Sequence, residues 1–94
     1  MQPAVYILAN QPHGTLYVGV TSDLVKRVWQ HQNNLAAGFT QKYGVHTLMF
    51  FELHATMYDA ISREKQLKAG SRAKKLELIE AMNPAWQDLY PGLL

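Results

Sequence analysis

Two short apolar runs, each built around a tyrosine and separated by one turn-forming stretch, constrain this chain more than any other feature. From Ala4 to Leu8 every residue is β-branched, aromatic or apolar, with Val5-Tyr6-Ile7 at the centre. Asn10-Gln11-Pro12-His13-Gly14 then supplies the residues that make turns, and Thr15 to Val20 carries Leu16-Tyr17-Val18-Gly19. Strands this close in sequence pair antiparallel, because a parallel partner needs a crossover of about a dozen residues or more. The pattern predicts a hairpin that brings two phenols to one place.

A helix is expected directly after it. Ser22 is suited to cap its start and Asp23 to complement the dipole in its first turn. Leu24, Val28 and Leu35 recur at near-helical spacing, with Val25 and Trp29 widening the stripe that packs on the sheet. The same helix sets Arg27 and His31 one turn apart, with Cβ atoms about 5 to 6 Å from each other. Asn33-Asn34 and Gly38 end or loosen it, Thr40 to Gly44 reads as a polar connection, and Val45 to Leu53 has the β-branched and aromatic content of a third strand. Thr56, with Asp59 three residues on, caps a second helix in which Ala60, Ile61, Glu64, Leu67 and Lys68 share one side. Gly70 stops that helix and Ser71 caps another, with Leu76, Ile79 and Met82 as its buried stripe. Asn83-Pro84 ends it, since a residue before proline disfavours helical geometry. Trp86, Leu89 and Tyr90 read as a tail packed on the domain. The expected fold is α/β of the α+β kind, a small three-stranded antiparallel sheet flanked by helices in the order β-β-α-β-α-α.

Ninety-four residues that are 48% hydrophobic fit one domain, residues 1–94, burying roughly 60 to 65% of the unfolded chain's surface. The chain holds no cysteine, which excludes disulfides, thiolate metal sites and a cysteine nucleophile. The start, Met1-Gln2-Pro3-Ala4, lacks the basic stretch and long apolar segment of a leader, and Leu48-Met49-Phe50-Phe51 is too short to span a bilayer, so a cytoplasmic protein without membrane attachment is expected. Net charge is only +2, yet six of the nine Lys and Arg residues, Arg63, Lys65, Lys68, Arg72, Lys74 and Lys75, crowd one stretch with Glu64 as its single acid. That asymmetry points to a polyanionic partner.

The residues alone leave bland readings open. Glu64 and Lys68 form the i,i+4 pair that steadies a helix by about 0.2 to 0.5 kcal/mol. Arg27 stands evenly between a solvated helix position beside Lys26 and a phosphate clamp. Strand tyrosines usually pack their rings on a core and leave the hydroxyl wet. Asn before Pro commonly ends a helix through its own side chain. His13, His46 and His54 lack metal-ligand spacing and read as turn or surface histidines.

Taken in order, Val5-Tyr6-Ile7, Tyr17-Val18-Gly19, Arg27 and His31 on the next helix, Glu64 on a later one and Asn83 before Pro84 resemble the GIY-YIG nuclease family. The resemblance spans nearly the whole chain and is nearest to short, single-domain bacterial members, on Tyr43-Gly44-Val45, Arg63-Glu64-Lys65-Gln66-Leu67-Lys68 and Asn83-Pro84-Ala85-Trp86. It implies metal-dependent hydrolysis of a nucleic-acid phosphodiester, DNA being the expected substrate, with a role in repair or processing. Glu64 then becomes the ligand of Mg²⁺ or Mn²⁺, since such an ion is held by one or two carboxylates with water and substrate phosphate. Arg27 opposes charge developing on the phosphate. Tyr17 deprotonates water, provided positive charge stabilises its phenolate against an ordinary pKa near 10. Tyr6 positions the phosphate or the water, His31 relays the proton, and Asn83 orders the site near Glu64. The basic cluster from Arg63 to Lys75 supplies backbone contacts without base identity. Some relatives carry Tyr at the place of His31.

The chain departs from the family pattern at Val5 for Gly, at Val18 for Ile, and at Val20, where several relatives place a Lys beside the catalytic tyrosine. The last departure, with no attached targeting domain in the chain, motivates a second expectation, a catalytically weak or inactive nucleic-acid-binding module of the same fold. A third class, a protein-interaction domain, requires Trp86, Leu89, Leu93 and Leu94 to remain exposed. No element of the sequence specifies an oligomeric state.

Overall fold

Strand β1 (Ala4–Ala9) is buried at every position, as a run apolar on both faces must be, and it forms the middle of the sheet. The structure, a computed structural model, describes residues 2–36 and 38–94; Met1, at the head of the segment read as leaderless, lies outside the described residues. β1 pairs antiparallel with β2 (Leu16–Thr21) on one side and with β3 (Thr47–Leu53) on the other, giving the order β2-β1-β3. Tyr6 lies opposite Gly19 and Leu8 opposite Tyr17. The β1–β3 register slips between Ile7 and Leu8, and Met49 and Phe50 both enter the same core cluster, as at a β-bulge.

Pleating divides β1 between two cores. Val5, Ile7 and Ala9 face a layer made with Val18, Met49, Ala60, Leu67, Ile79 and Trp86, covered by helices α3 (Met57–Ala69) and α4 (Arg72–Met82). Ala4, Tyr6 and Leu8 face the opposite way, toward Leu24 and Val28 of helix α1 (Leu24–Gln32) and the C-terminal Leu89, Tyr90 and Leu93. The expected antiparallel sheet and its order of strands and helices are present, with a short additional helix α2 (Phe39–Tyr43) where a polar connection is expected.

Local differences have physical causes. The cap of α1 is Asp23 and not Ser22: its carboxylate accepts from the Lys26 N–H at 3.2 Å, while the Thr21 hydroxyl accepts from the Asp23 N–H at 3.0 Å and fixes the corner. The helix ends at Gln32 and Asn34 adopts a left-handed φ of 56°, so Leu35 leaves the stripe and is exposed, as are Val25 and Trp29. The buried line of α1 is Leu24, Val28 and His31. Thr56 and Ser71 cap α3 and α4 as expected, accepting from the N–H groups of Asp59 and Lys74. On α4 the residue after Ile79 on the buried line is Asn83, and Met82 turns outward. The tail is fastened by a hydrogen bond from the Leu89 N–H to the Leu48 carbonyl at 2.9 Å and closes in a 3₁₀ turn over Tyr90–Leu93. Trp86 is buried, Leu89 and Leu93 are half-buried and Leu94 alone of the four is exposed, which leaves little of the exposed apolar tail on which an interaction domain depends.

Candidate active site

The face of the sheet beneath α1 brings together side chains from four elements. Gly19 makes this possible. A Cβ there would run into the ring and hydroxyl of Tyr6, so the missing side chain is the space the phenol occupies. The rings of Tyr6, Tyr17 and His31 then form a triangle, with centroid separations of 6.4 Å for Tyr6–Tyr17, 5.8 Å for Tyr6–His31 and 5.7 Å for Tyr17–His31.

His31 is held from both ends. Its Nε2 lies 3.0 Å from the Tyr6 hydroxyl and its Nδ1 2.9 Å from the Thr40 hydroxyl. Burial, aided by the nearby charges of Arg27 and His46, lowers its pKa to about 4, so the ring is neutral at physiological pH. Burial also pushes the Tyr6 phenol up to about 12, against the opposing pull of Arg27, and the negative charges of ionised Tyr17 and Glu64 push the same way. A protonated phenol donating to Nε2 fixes Nδ1 as the protonated nitrogen, which donates in turn to Thr40.

Arg27, half-buried on α1, holds the Gln30 amide oxygen at 3.1 Å and acts electrostatically on both Tyr6 and His31. Glu64 comes from α3, and its charge is the smallest of the influences on the Tyr6 phenol, which it raises. Its side chain is only 15% exposed and its carboxylate lies 3.2 Å from Lys68 Nζ, so the helix pair expected from spacing is present. Among the described residues no group of three or more His, Asp or Glu side chains gathers to hold a metal. Glu64 is a single carboxylate donor of the kind that suits Mg²⁺ or Mn²⁺ with water and phosphate completing the shell.

Asn83 lies elsewhere. Its amide donates to the carbonyls of Met49 (3.3 Å) and Gln87 (2.7 Å) and accepts from the Gln87 N–H (3.0 Å), tying the end of α4 to β3 and the tail. Its hydrogen bonds thus bind scaffold and not Glu64, in line with its helix-ending role.

The basic stretch is divided in its work. Arg63 grips both carboxylate oxygens of Glu52 at 3.0 and 3.3 Å; burial raises that carboxyl, but the hydrogen bonds from Arg63 and His54 more than offset it and hold the pKa below its ordinary value. Arg72 donates to the carbonyls of His13 and Gly14, both at 2.7 Å, and clamps the hairpin turn to α4. Lys65 and Lys74 are exposed. Lys68 and Lys75 line a cleft of about 310 Å³ with Leu16, Tyr17, Val18 and Phe39. Val20 packs with the core on the α3 side of the sheet, away from the tyrosine rings.

Thr40, hydrogen-bonded to His31, and Phe39, stacked beside Tyr17, adjoin this group, and the sequence reading assigns neither a role in it. The available signal is Phe39 and Tyr43 at helical spacing between Gly38 and Gly44, which marks a short helix with an aromatic edge.

The profile of the family described as the GIY-YIG catalytic domain matches residues 2–77. A UPF0213 protein of Clostridium perfringens is 38% identical over 77 residues, 82% of this chain and 82% of that protein. One from Staphylococcus saprophyticus is 38% identical over 66 residues, 70% of this chain and 80% of its own. The solution NMR structure of a UPF0213 protein from Bacillus halodurans has a TM-score of 0.58 at 27% identity, covering 94% of this chain and 93% of that one. The chain belongs to the GIY-YIG catalytic domain family, among its UPF0213 proteins.

Proposed function

We propose that this protein is a divalent-metal-dependent endonuclease that hydrolyses phosphodiester bonds of nucleic acid, with DNA as its substrate in repair or processing. The observation that carries the reading is the grouping of Tyr6, Tyr17 and His31 within one ring triangle, with Arg27 one turn before His31 on the same helix.

The two phenols have different work. Tyr6, with its pKa at about 12, keeps its proton and donates it in a hydrogen bond to neutral His31, with Thr40 behind the ring, so that its oxygen is left as a fixed acceptor that orders the attacking water. His31 bonds to Tyr6 and not to Tyr17, so it is an orienting group and the proton-relay role narrows to the Tyr6–His31–Thr40 chain. Tyr17 opens on the cleft that Lys68 and Lys75 line, on the side where the phosphate and its water would enter. Tyr17 therefore takes the proton from water as its oxygen attacks phosphorus, and the P–O bond to the leaving strand breaks. Although position 20 is Val, Lys68 and Lys75 line the cleft beside Tyr17, which favours catalysis over a binding-only module. Arg27 stabilises the charge that grows on the phosphate oxygens. Glu64 would hold the Mg²⁺ or Mn²⁺, which when bound supplies Lewis acidity to the phosphoryl group. Lys65, Lys74 and Lys75 contact backbone phosphates; Arg63 and Arg72 hold the scaffold that presents them.

Incubation with branched, single-stranded and duplex DNA in Mn²⁺ or in EDTA tests the reading. Product that requires the metal is the expected result. Salt-sensitive binding without product in any substrate would establish the inactive module instead.

A further inference from the structure

Beside the phenols runs an aromatic edge that the hydrolytic reading does not use. Phe39 stacks on Tyr17 with centroids 6.0 Å apart and planes at 26°, and Tyr43 follows at 4.7 Å from Phe39. Phe39 is 45% exposed and Tyr43 48%, and, unlike the exposed Trp29 and Tyr58, they continue a row of ring contacts that starts at Tyr17. Nothing in the packing accounts for this exposure, because both rings project from a short helix whose buried residue is Thr40, the one that holds His31.

Cations border the same surface. Lys42 lies 5.4 Å from the Tyr43 ring centroid, and Lys68 and Lys75 line the cleft between Tyr17 and Phe39. Rings at stacking distance with positive charge along their flank match what unpaired nucleotides need, since each base offers a flat face and each phosphate a negative charge. A duplex satisfies this surface poorly, because its bases are already stacked on each other. We infer that Tyr17, Phe39 and Tyr43 form a stacking platform for unpaired bases next to the scissile phosphate, which directs the site to single-stranded nucleic acid or single-stranded tails. The inference rests on the nuclease reading for what happens next, and on the aromatic edge alone for binding.

Binding is measured in EDTA, so that failure to cleave does not affect the outcome. The probe is a short single-stranded DNA carrying 2-aminopurine, whose emission is quenched on stacking, compared with a blunt duplex of the same sequence. The expected result is tighter binding of the single strand with quenching, weakened about ten-fold in Phe39→Ala, the loss of about one stacked base, and restored in Phe39→Trp. Duplex binding stays unchanged in both variants. Equal affinity of wild type and Phe39→Ala for the single strand overturns the inference, as does preference for the duplex. Concentration-dependent dimerisation that Phe39→Ala abolishes, without affinity for the single strand, also overturns it and assigns the edge to a second copy of the chain. Far-UV circular dichroism of Phe39→Ala must match wild type; if it does not, Tyr43→Ala, whose ring is equally exposed, carries the same comparison.

Discussion

The Tyr6 hydroxyl and His31 Nε2 meet at 3.0 Å inside the protein, although the two residues come from the central strand and from a helix that crosses over it. Each is perturbed in the direction that suits the other: burial holds the phenol protonated and the imidazole neutral, so one donates and the other accepts. Removing the hydroxyl alone in Tyr6→Phe keeps the ring packed and leaves Nε2 without its donor. The expected outcome is a stability loss of about 1 kcal/mol, read by urea denaturation, and a fall in kcat of about 100-fold or more.

Gly19 is the counterpart of Tyr6 across the hairpin. Gly19→Ala forces the phenol out of its place, because the added methyl occupies the volume of the ring and hydroxyl. Overpacking of this kind costs about 1 to 3 kcal/mol. Chemical-shift or near-UV spectra should report a displaced Tyr6, with activity lost more steeply than stability.

The pH dependence of stability follows from the same pair. His31 has an ordinary pKa near 6.5 when unfolded and about 4 when folded, so the unfolded chain binds the extra proton between those values. Stability from this group is complete above about pH 6.5 and falls by roughly 2 to 3 kcal/mol as pH drops to about 4. Tyr6 acts at the other end: its phenol ionises near 10 unfolded and at about 12 folded, so stability declines as pH rises through that interval. Urea midpoints across pH give both limbs, and His31→Gln should flatten the acidic one.

Much of this arrangement was legible in the chain. The hairpin, the three caps or stops at Thr56, Gly70 and Ser71, and the breaking of α4 before Pro84 all follow from local chemistry, and local chemistry decides them. Position in the sheet did not follow. That β1 is the central strand depends on β3 returning to its far edge, a long-range pairing with no local mark. The α1 stripe was misread for a related reason: Leu35 fits the spacing, but Asn34 turns the chain first, and a polar His31 takes the buried slot because Tyr6 and Thr40 satisfy both its nitrogens. Charge density likewise hid function in the basic stretch, since partners far apart in sequence, Glu52 for Arg63 and the hairpin carbonyls for Arg72, determine which cations face outward.

That division among the cations is itself testable. Arg63→Ala should cost roughly 1 kcal/mol of stability by releasing Glu52, with the loss confined to pH above the carboxylate range, because the depressed pKa contributes only where the unfolded carboxyl is ionised. It should leave the salt dependence of DNA binding nearly unchanged. Lys75→Ala should do the reverse, leaving stability intact and reducing the slope of log affinity against log salt by about one.

The most direct measurement compares wild type with Glu64→Gln on labelled DNA in Mn²⁺, with circular dichroism to establish that the variant is folded. The change keeps the shape of a side chain that is only 15% exposed while removing the carboxylate charge proposed to hold the metal. Metal-dependent cleavage by the wild type and none by folded Glu64→Gln is the expected result. Undiminished cleavage by the variant would contradict a site built around Glu64.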